Sequence, residues 1–195
     1  MLDRCEAFSA GVRAERTMAP IDVQIRWLVR PDMAEVLELA NESFQCSWSE
    51  EKFLCHLRHC NRVGMVAEHH HRVVGYMIYE FHKSKLWILN FAVAVSYRRR
   101  TVGTQMINNL IGKISADGRS RILIKVRESN LAAQLFFKAN GFQAVSVLRE
   151  FYHHTTEDAY LMRYRYGDGE PQLQSRNCRA ASRRSRENES DLSQL

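Results

Sequence analysis

The sequence predicts a mixed α/β domain, one central sheet with helices on its faces. Apolar residues alternate at period two in seven short runs and recur at steps of three and four in four others. The two patterns interleave in the order βααβββαβαββ, which builds a mixed sheet rather than separate helical and sheet halves. The chain has 195 residues, one domain's worth with room for tails, and no internal repeat is visible. Hydrophobic residues make up 45% and charged residues 26%, which excludes a collagen-like or wholly disordered chain. No apolar run approaches the roughly 18 to 20 residues of a membrane helix, so no bilayer span is expected.

The elements follow in chain order. Val23–Arg30 alternates as a strand, and Pro31-Asp32 then opens a helix whose Met33, Val36, Leu37 and Ala40 share one face. A second helix starts at Ser49 as N-cap, with Glu50 and Glu51 complementing its dipole. Trp48 before the cap and Phe53 after it match a hydrophobic staple. Gly64–Glu68, Val73–His82 and Leu86–Val95 read as strands, the first two joined by a hairpin turn over Glu68–Arg72. A third helix follows Arg98-Arg99-Arg100, with Val102, Met106, Leu110 and Ile114 as its buried stripe. Arg121–Arg127 is the next strand. Asn130 caps a fourth helix with Leu131, Leu135, Phe136 and Ala139 inward, and Gly141 ends it as the C′ residue. Phe142–Leu148 and Ala159–Tyr166 close the sheet.

The two ends have a different composition. Residues 1–21 mix Asp3, Glu6 and Glu15 with Arg4, Arg13 and Arg16, which fits neither a signal peptide nor a transit peptide. They read as a loose arm, with a start at Met18 as the alternative. From Gly167 to Leu195 the strong hydrophobes are Leu173, Leu192 and Leu195, and five arginines balance five acids. Such a tail cannot bury enough surface to offset its ordering entropy, so disorder is expected there. The domain is therefore expected over residues 22–166. The tail's Arg179–Arg186 stretch reads as a solvated charge run rather than an RNA contact.

Charge and cysteine usage narrow the function. Lys plus Arg minus Asp plus Glu is 28 − 22 = +6, which suits an anionic partner such as a phosphorylated cofactor. Five cysteines at irregular spacing point to a reduced, cytoplasmic compartment. Cys55-His56, His59-Cys60 and His69-His70-His71 invite a metal reading. However, Cys55 and His59 share one helix face while His56 and Cys60 share another, so the four cannot converge on one ion. Surface histidines and buried cysteines are expected instead, and no metal.

The informative site is the junction of the strand ending in Asn90-Phe91-Ala92-Val93 with the third helix, entered through Tyr97-Arg98-Arg99-Arg100-Thr101-Val102-Gly103-Thr104. First-turn N–H groups and the helix dipole favour a phosphate there, Gly103 permits close approach, and the arginines add charge-assisted donors. This junction resembles motif A of the GNAT acetyltransferases, whose pyrophosphate loop reads Arg/Gln-x-x-Gly-x-Gly/Ala. Arg98 and Gly103 match, while Thr101 replaces the first glycine. A Cβ makes positive φ costlier there, so one backbone donor is expected to be aimed less well. Val126 to Ala133 and Lys138-Ala139-Asn140-Gly141-Phe142 resemble motif B, and Ser47-Trp48-Ser49-Glu50 with Phe53 is similar to the second helix of RimI-type enzymes. The resemblance covers roughly Ile21 to Tyr166, and the element order above is the GNAT order.

By resemblance, Phe91, Ala92 and Val93 line the acetyl-pantetheine arm of acetyl-CoA, with a backbone N–H near Val93 polarising the thioester carbonyl. Arg99, Arg100, Thr101, Val102, Gly103 and Thr104 wrap the pyrophosphate, and Asn130 holds the cofactor beyond it. Two positions depart from RimI-like enzymes. The general-base glutamate is replaced by Lys125 and the general-acid tyrosine by Phe137. Tyr152 is the substitute acid, and Glu128 a proton relay through water. The implied activity is acetyl transfer to an amine. A protein N-terminus leads over a small amine or polyamine, and a catalytically weak acetyl-CoA-binding module is the third reading. Nucleic-acid binding is disfavoured because no aromatic-plus-basic strand of an RNA module is present. A monomer or weak dimer is expected.

Overall fold

The computed structural model describes residues 19–45, 47–116, 118–152 and 155–167. Met18, Cys46, the first seventeen residues and the tail beyond Gly167 lie outside the described residues, and so do the expectations made for them. The elements are β1 (Gln24–Trp27), α1 (Met33–Ser43), α2 (Glu50–Leu57), β2 (Arg62–His69), β3 (Arg72–Phe81), β4 (Lys85–Val93), α3 (Val102–Ala116), β5 (Arg121–Arg127), α4 (Leu131–Ala139), β6 (Gln143–Tyr152) and β7 (Glu157–Arg165). This is the order expected from the sequence. The seven strands form one sheet in the order β1-β2-β3-β4-β5-β7-β6. Every pairing is antiparallel except β4 with β5, which is parallel and needs the α3 crossover.

Two apolar clusters lie on opposite faces of the sheet. Val36, Leu39 and Ala40 of α1 and Phe53 of α2 pack with Val66, Tyr76 and Ile78 on one face. Val102, Met106, Leu110 and Ile114 of α3 and Phe137 of α4 pack with Leu86, Ile88, Ile122 and Ile124 on the other. Ser49 accepts the Lys52 N–H at the start of α2, and Trp48 meets Phe53 edge-on at 5.3 Å, so cap and staple form as their spacing demands. The β2–β3 turn places His70 and His71 at φ of 49° and 61°, the conformation a two-residue hairpin needs.

Three local expectations are corrected. β1 stops at Trp27, short of Arg30, because the Val29 N–H turns to Asp32 Oδ2 at 2.9 Å. Arg26 grips the same carboxylate with two bonds of 2.7 and 2.8 Å and reaches Glu68 with its Nε. On α4, Leu131 and Leu135 are 61% and 56% exposed, while Phe137 is buried at 2%. The helix end sets this rotation. Gly141 takes φ 84°, and the N–H groups of Gly141 and Phe142 return to the carbonyls of Lys138 and Phe137, a Schellman closure. That closure seats Phe142 against Phe137 at 5.1 Å, so the Phe137 side faces the core. Finally, Cys55 and Cys60 are exposed free thiols rather than buried ones, because α2 turns Phe53 to the core. Among the described residues no group of three or more His, Cys, Asp or Glu is placed to hold a metal ion. None of the described helices is long and apolar enough to cross a membrane.

Candidate functional site

The site starts from a split in the sheet. β4 and β5 pair only from Lys85 with Arg121 to Ile88 with Ile124. Past that point β4 continues alone on this side to Val93 while it stays paired with β3. A bulge accompanies the split. Ile78 faces Asn90 and Tyr79 faces Ile88, which leaves Leu89 as the extra residue. The bulge inverts the strand's faces. Phe91 and Val93 join the α3–α4 side, and Ala92 turns into the α1–α2 cluster.

Ladder alternation then decides which backbone groups are available. The Ala94 N–H bonds to the Val74 carbonyl at 2.9 Å, so Ala94 and Ala92 spend their groups on β3. Phe91 and Val93 fall between them and aim their N–H and C=O away from β3, into the split. The Val93 carbonyl is taken by Arg98 Nε at 3.0 Å, which leaves the Val93 N–H facing the opening. Of the three residues placed along this arm by sequence, two line the split and Ala92 lies across the sheet.

The N-terminus of α3 borders the same opening. The first intrahelical bond runs from the Gln105 N–H to the Thr101 carbonyl, so Val102, Gly103 and Thr104 have N–H groups without an intrahelical acceptor. Thr101 does take the left-handed conformation of the glycine it replaces, at φ 68°, and Arg99 takes φ 61°. The residues before β1 brace this strained loop. Gln105 Nε2 donates to the Ile21 carbonyl at 2.6 Å and to Thr101 Oγ1 at 3.1 Å, and its Oε1 accepts the Val23 N–H. The Ile21 N–H returns to the Arg100 carbonyl. Gly103 has a packing role as well, since a Cβ there would meet Phe136 at 3.0 Å and Phe91 at 3.4 Å. The Arg100 guanidinium lies near the Tyr97 ring and reaches the Ala19 carbonyl. Asn130 uses its Oδ1 to cap α4 at the Ala133 N–H.

On the opposite face, the end of β5 gathers the acid–base candidates. Lys125 Nζ stands 5.3 Å from the Trp87 ring centroid and 4.2 Å from that of Phe151. Arg127 covers Tyr152 at 3.9 Å and bonds Glu157 at 2.7 Å. Burial pushes the Tyr152 hydroxyl above the ordinary phenol range, with Arg127 opposing that shift. The hydroxyl is therefore protonated at neutral pH and able to donate. Glu157 is held down to about 2 by hydrogen bonds from Ser129 and by the Arg127 guanidinium, which makes it a poor base. Glu128 is exposed at the strand end, outside this cluster. Phe137 is enclosed by Phe91, Phe136 and Phe142 at 6.0, 5.1 and 5.1 Å. Sequence reasoning missed Glu157, whose partners lie 28 to 30 residues away.

Comparison with known proteins agrees with this architecture. The chain is 24% identical over 133 residues to the ribosomal protein bS18-alanine N-acetyltransferase of Escherichia coli, covering 67% of this chain and 89% of that protein. It is 26% identical over 161 residues to an N-alpha-acetyltransferase of Sulfolobus acidocaldarius, covering 76% and 95%. The crystal structure of the Escherichia coli ribosomal-protein-S18-alanine N-acetyltransferase superposes with a TM-score of 0.69 at 21% identity, over 78% of this chain and 99% of that one. Arabidopsis thaliana NAA60 in complex with acetyl-CoA superposes with a TM-score of 0.66 at 19% identity, over 74% and 99%. Residues 33–142 match the acetyltransferase (GNAT) family, and the chain belongs to that family as an acetyl-CoA-dependent N-acetyltransferase.

Proposed function

We propose that the protein acetylates the N-terminal α-amino group of another protein, by direct attack of the amine in a ternary complex. The observation that carries this reading is Lys125 at the base position, beside Trp87 and Phe151. An ammonium takes no proton, so only the fraction of acceptor that is already deprotonated can attack. An α-amine with a pKa near 8 is about one-tenth free at pH 7, whereas a lysine amine near 10.4 is free only about 0.04% of the time. The missing base thus costs about one pK unit for an N-terminus and more than three for a lysine side chain. The Lys125 charge further lowers the pKa of a neighbouring amine.

The other residues take roles that fit their geometry. The N–H groups of Val102, Gly103 and Thr104, with Arg99 and Arg100, hold the pyrophosphate of acetyl-CoA at the α3 N-terminus. Bound there, acetyl-CoA supplies the thioester carbon. The Val93 N–H steadies the oxygen on which charge develops, and the protonated Tyr152 gives its proton to the departing sulfur and takes back the one that the attacking nitrogen sheds. Asn130 borders the cofactor from the α4 side. The domain responsible spans residues 22–166, and the site of action is the cytoplasm.

Acetyl-CoA titrated into the protein should raise the melting temperature by several degrees, since a ligand at 100 times its Kd adds about 2.7 kcal/mol. Alanine-starting peptides should then release free thiol in its presence, and polyamines should not. Saturable cofactor binding without turnover on any peptide would sink the N-terminal reading and favour a regulatory acetyl-CoA-binding module.

A further inference from the structure

The sheet face beside the split carries an unbalanced charge. Helices α1 and α2 cover the β1–β4 half of that face, and the β5–β7 half lies beyond them. Register fixes which side chains point there. Lys125 and Leu161 pair across β5 and β7, as do Leu123 and Arg163. Lys85 pairs with Arg121 across β4 and β5, and Trp87 with Leu123. Side chains two residues apart share a face, so Lys85, Arg121, Lys125, Arg127 and Arg163 all project to one side. The carboxylates among the paired residues of this face are Glu157, which Arg127 already holds at 2.7 Å, and Glu80 opposite Trp87, which Arg62 holds at 3.4 Å. Among the described residues no carboxylate lies within 4.0 Å of Lys85, Arg121, Lys125 or Arg163.

Two of these cations, Lys85 and Lys125, have aromatic partners. Both hold their ammonium groups near the Trp87 ring, 5.5 and 5.3 Å from its centroid. An ammonium poised on an aromatic ring keeps donors for an incoming anion. Lys125 and Arg163 are diagonal neighbours across β5 and β7, roughly 7 to 8 Å apart at their Cα atoms. From Lys125 to Arg121 the strand runs four residues, about 13 Å. An extended peptide laid along this stretch presents about four residues to it.

We infer that this face selects acceptors whose residues after the α-amine are acidic, through the cationic set Lys85, Arg121, Lys125 and Arg163. The inference rests on the N-terminal acetylation proposed above and names the acceptor class for the same site. The amine enters at the split beside Lys125, and carboxylates in the next few positions of the peptide meet the row of cations. A folded nucleic acid is the other polyanion such a face attracts. Lys125 stands at the split, while Arg163, Arg121 and Lys85 run back from it along the paired strands, a line that a single extended chain follows better than a duplex backbone. Polyamines are repelled by the same charge.

Three alanine-starting peptides that differ only in positions two to five decide the matter, with those positions all glutamate, all glutamine or all lysine. At low salt the glutamate peptide should show kcat/KM about tenfold above the glutamine peptide, carried by KM, and the lysine peptide should fall below both. Added salt should shrink the ratio, because the screening length drops to about 10 Å at 0.1 M and lower beyond. Arg121→Gln with Arg163→Gln should bring the glutamate-to-glutamine ratio close to one, with an acetyl-CoA thermal shift confirming that the variant is folded. Equal rates on all three peptides, or a variant that slows them equally, would overturn the acidic-acceptor inference and leave N-terminal acetylation standing. No acetylation of any peptide would remove both. Tight binding of a short RNA, released by the same double substitution and without a peptide preference, would reassign the face to nucleic acid.

Discussion

Arg127 and Glu157 lock the end of β5 to the start of β7, guanidinium to carboxylate at 2.7 Å. The other oxygen of Glu157 accepts the Ser129 N–H at 2.8 Å. This carboxylate therefore fixes the turn from which Asn130 caps α4, and through α4 the packing of Phe136 and Phe137 beside the split.

The pair makes acid stability testable. Hydrogen bonds from Ser129 and the Arg127 charge lower the Glu157 pKa from 4.5 to about 2. A depressed carboxylate pKa contributes stability that is fully present above the unfolded value and is lost as pH falls through the folded one. Asp32, held low by Arg26, and Asp158, held low by the Glu150 N–H, act in the same direction. Melting temperature should fall between pH 4.5 and 2, and Glu157→Gln should lower it at pH 7 while making that acid limb shallower. Parallel acid limbs in the two proteins would show that Glu157 is not coupled to folding.

Two glycines of α3 should respond oppositely to alanine. A Cβ on Gly103 meets the Phe136 ring at 3.0 Å, and overpacking of this kind costs about 1–3 kcal/mol, offset by up to about 1 kcal/mol of helix propensity. Gly112 has nothing within 4 Å of its Cβ position, so Gly112→Ala should stabilise by about 0.5–1 kcal/mol. Denaturant melts give both values. Acetyl-CoA affinity should fall only for Gly103→Ala.

The rotation of α4 separates Phe137 from Leu135. Phe137 is 2% exposed and Leu135 is 56% exposed. Phe137→Ala should cost about 3–5 kcal/mol, and Leu135→Ala should stay within about 0.5 kcal/mol. Equal losses in urea melts would place both side chains on the buried face.

Lys125→Glu places a carboxylate where the base is missing. A positioned general base is typically worth about 10²- to 10⁴-fold, and for an α-amine already about one-tenth free at pH 7 the gain should be near tenfold in kcat at that pH. The rise of kcat between pH 6.5 and 8.5 should flatten, because the enzyme then accepts the proton. Measured on the glutamine peptide, identical pH profiles for the two proteins would remove Lys125 from the acceptor site. On the glutamate peptide KM should rise, since one cation of the row is lost and a like charge is added.

Much of the fold is legible in the chain because its signals are local. Ser49, Trp48 and Phe53 lie within six residues, and cap, staple and helix follow from that spacing alone. The four-residue steps from Val102 to Ile114 put one stripe inward whichever sheet covers it, and the order of strands and helices follows from periodicity. The junction of β4 with α3 is legible for the same reason, as a strand end, a basic run and a glycine in sequence.

What the tertiary structure alone decided depends on partners far apart in the chain. The bulge at Leu89 sends Phe91 and Val93 to one face and Ala92 to the other, an offset set by pairing with β3 that no alternation within β4 reveals. Insertion of β7 between β5 and β6 brings Glu157 to Arg127 and Phe151 to Lys125, contacts spanning about 30 residues. The inward side of α4 was settled by where Phe142 packs, against Tyr164, rather than by the leucines on the helix itself. Period and capping are free energies of a few neighbouring residues, so the sequence by itself determined the elements and their order. Register, strand insertion and helix rotation minimise the exposed apolar surface of the whole sheet, so only the assembled fold determined which residues meet at the site.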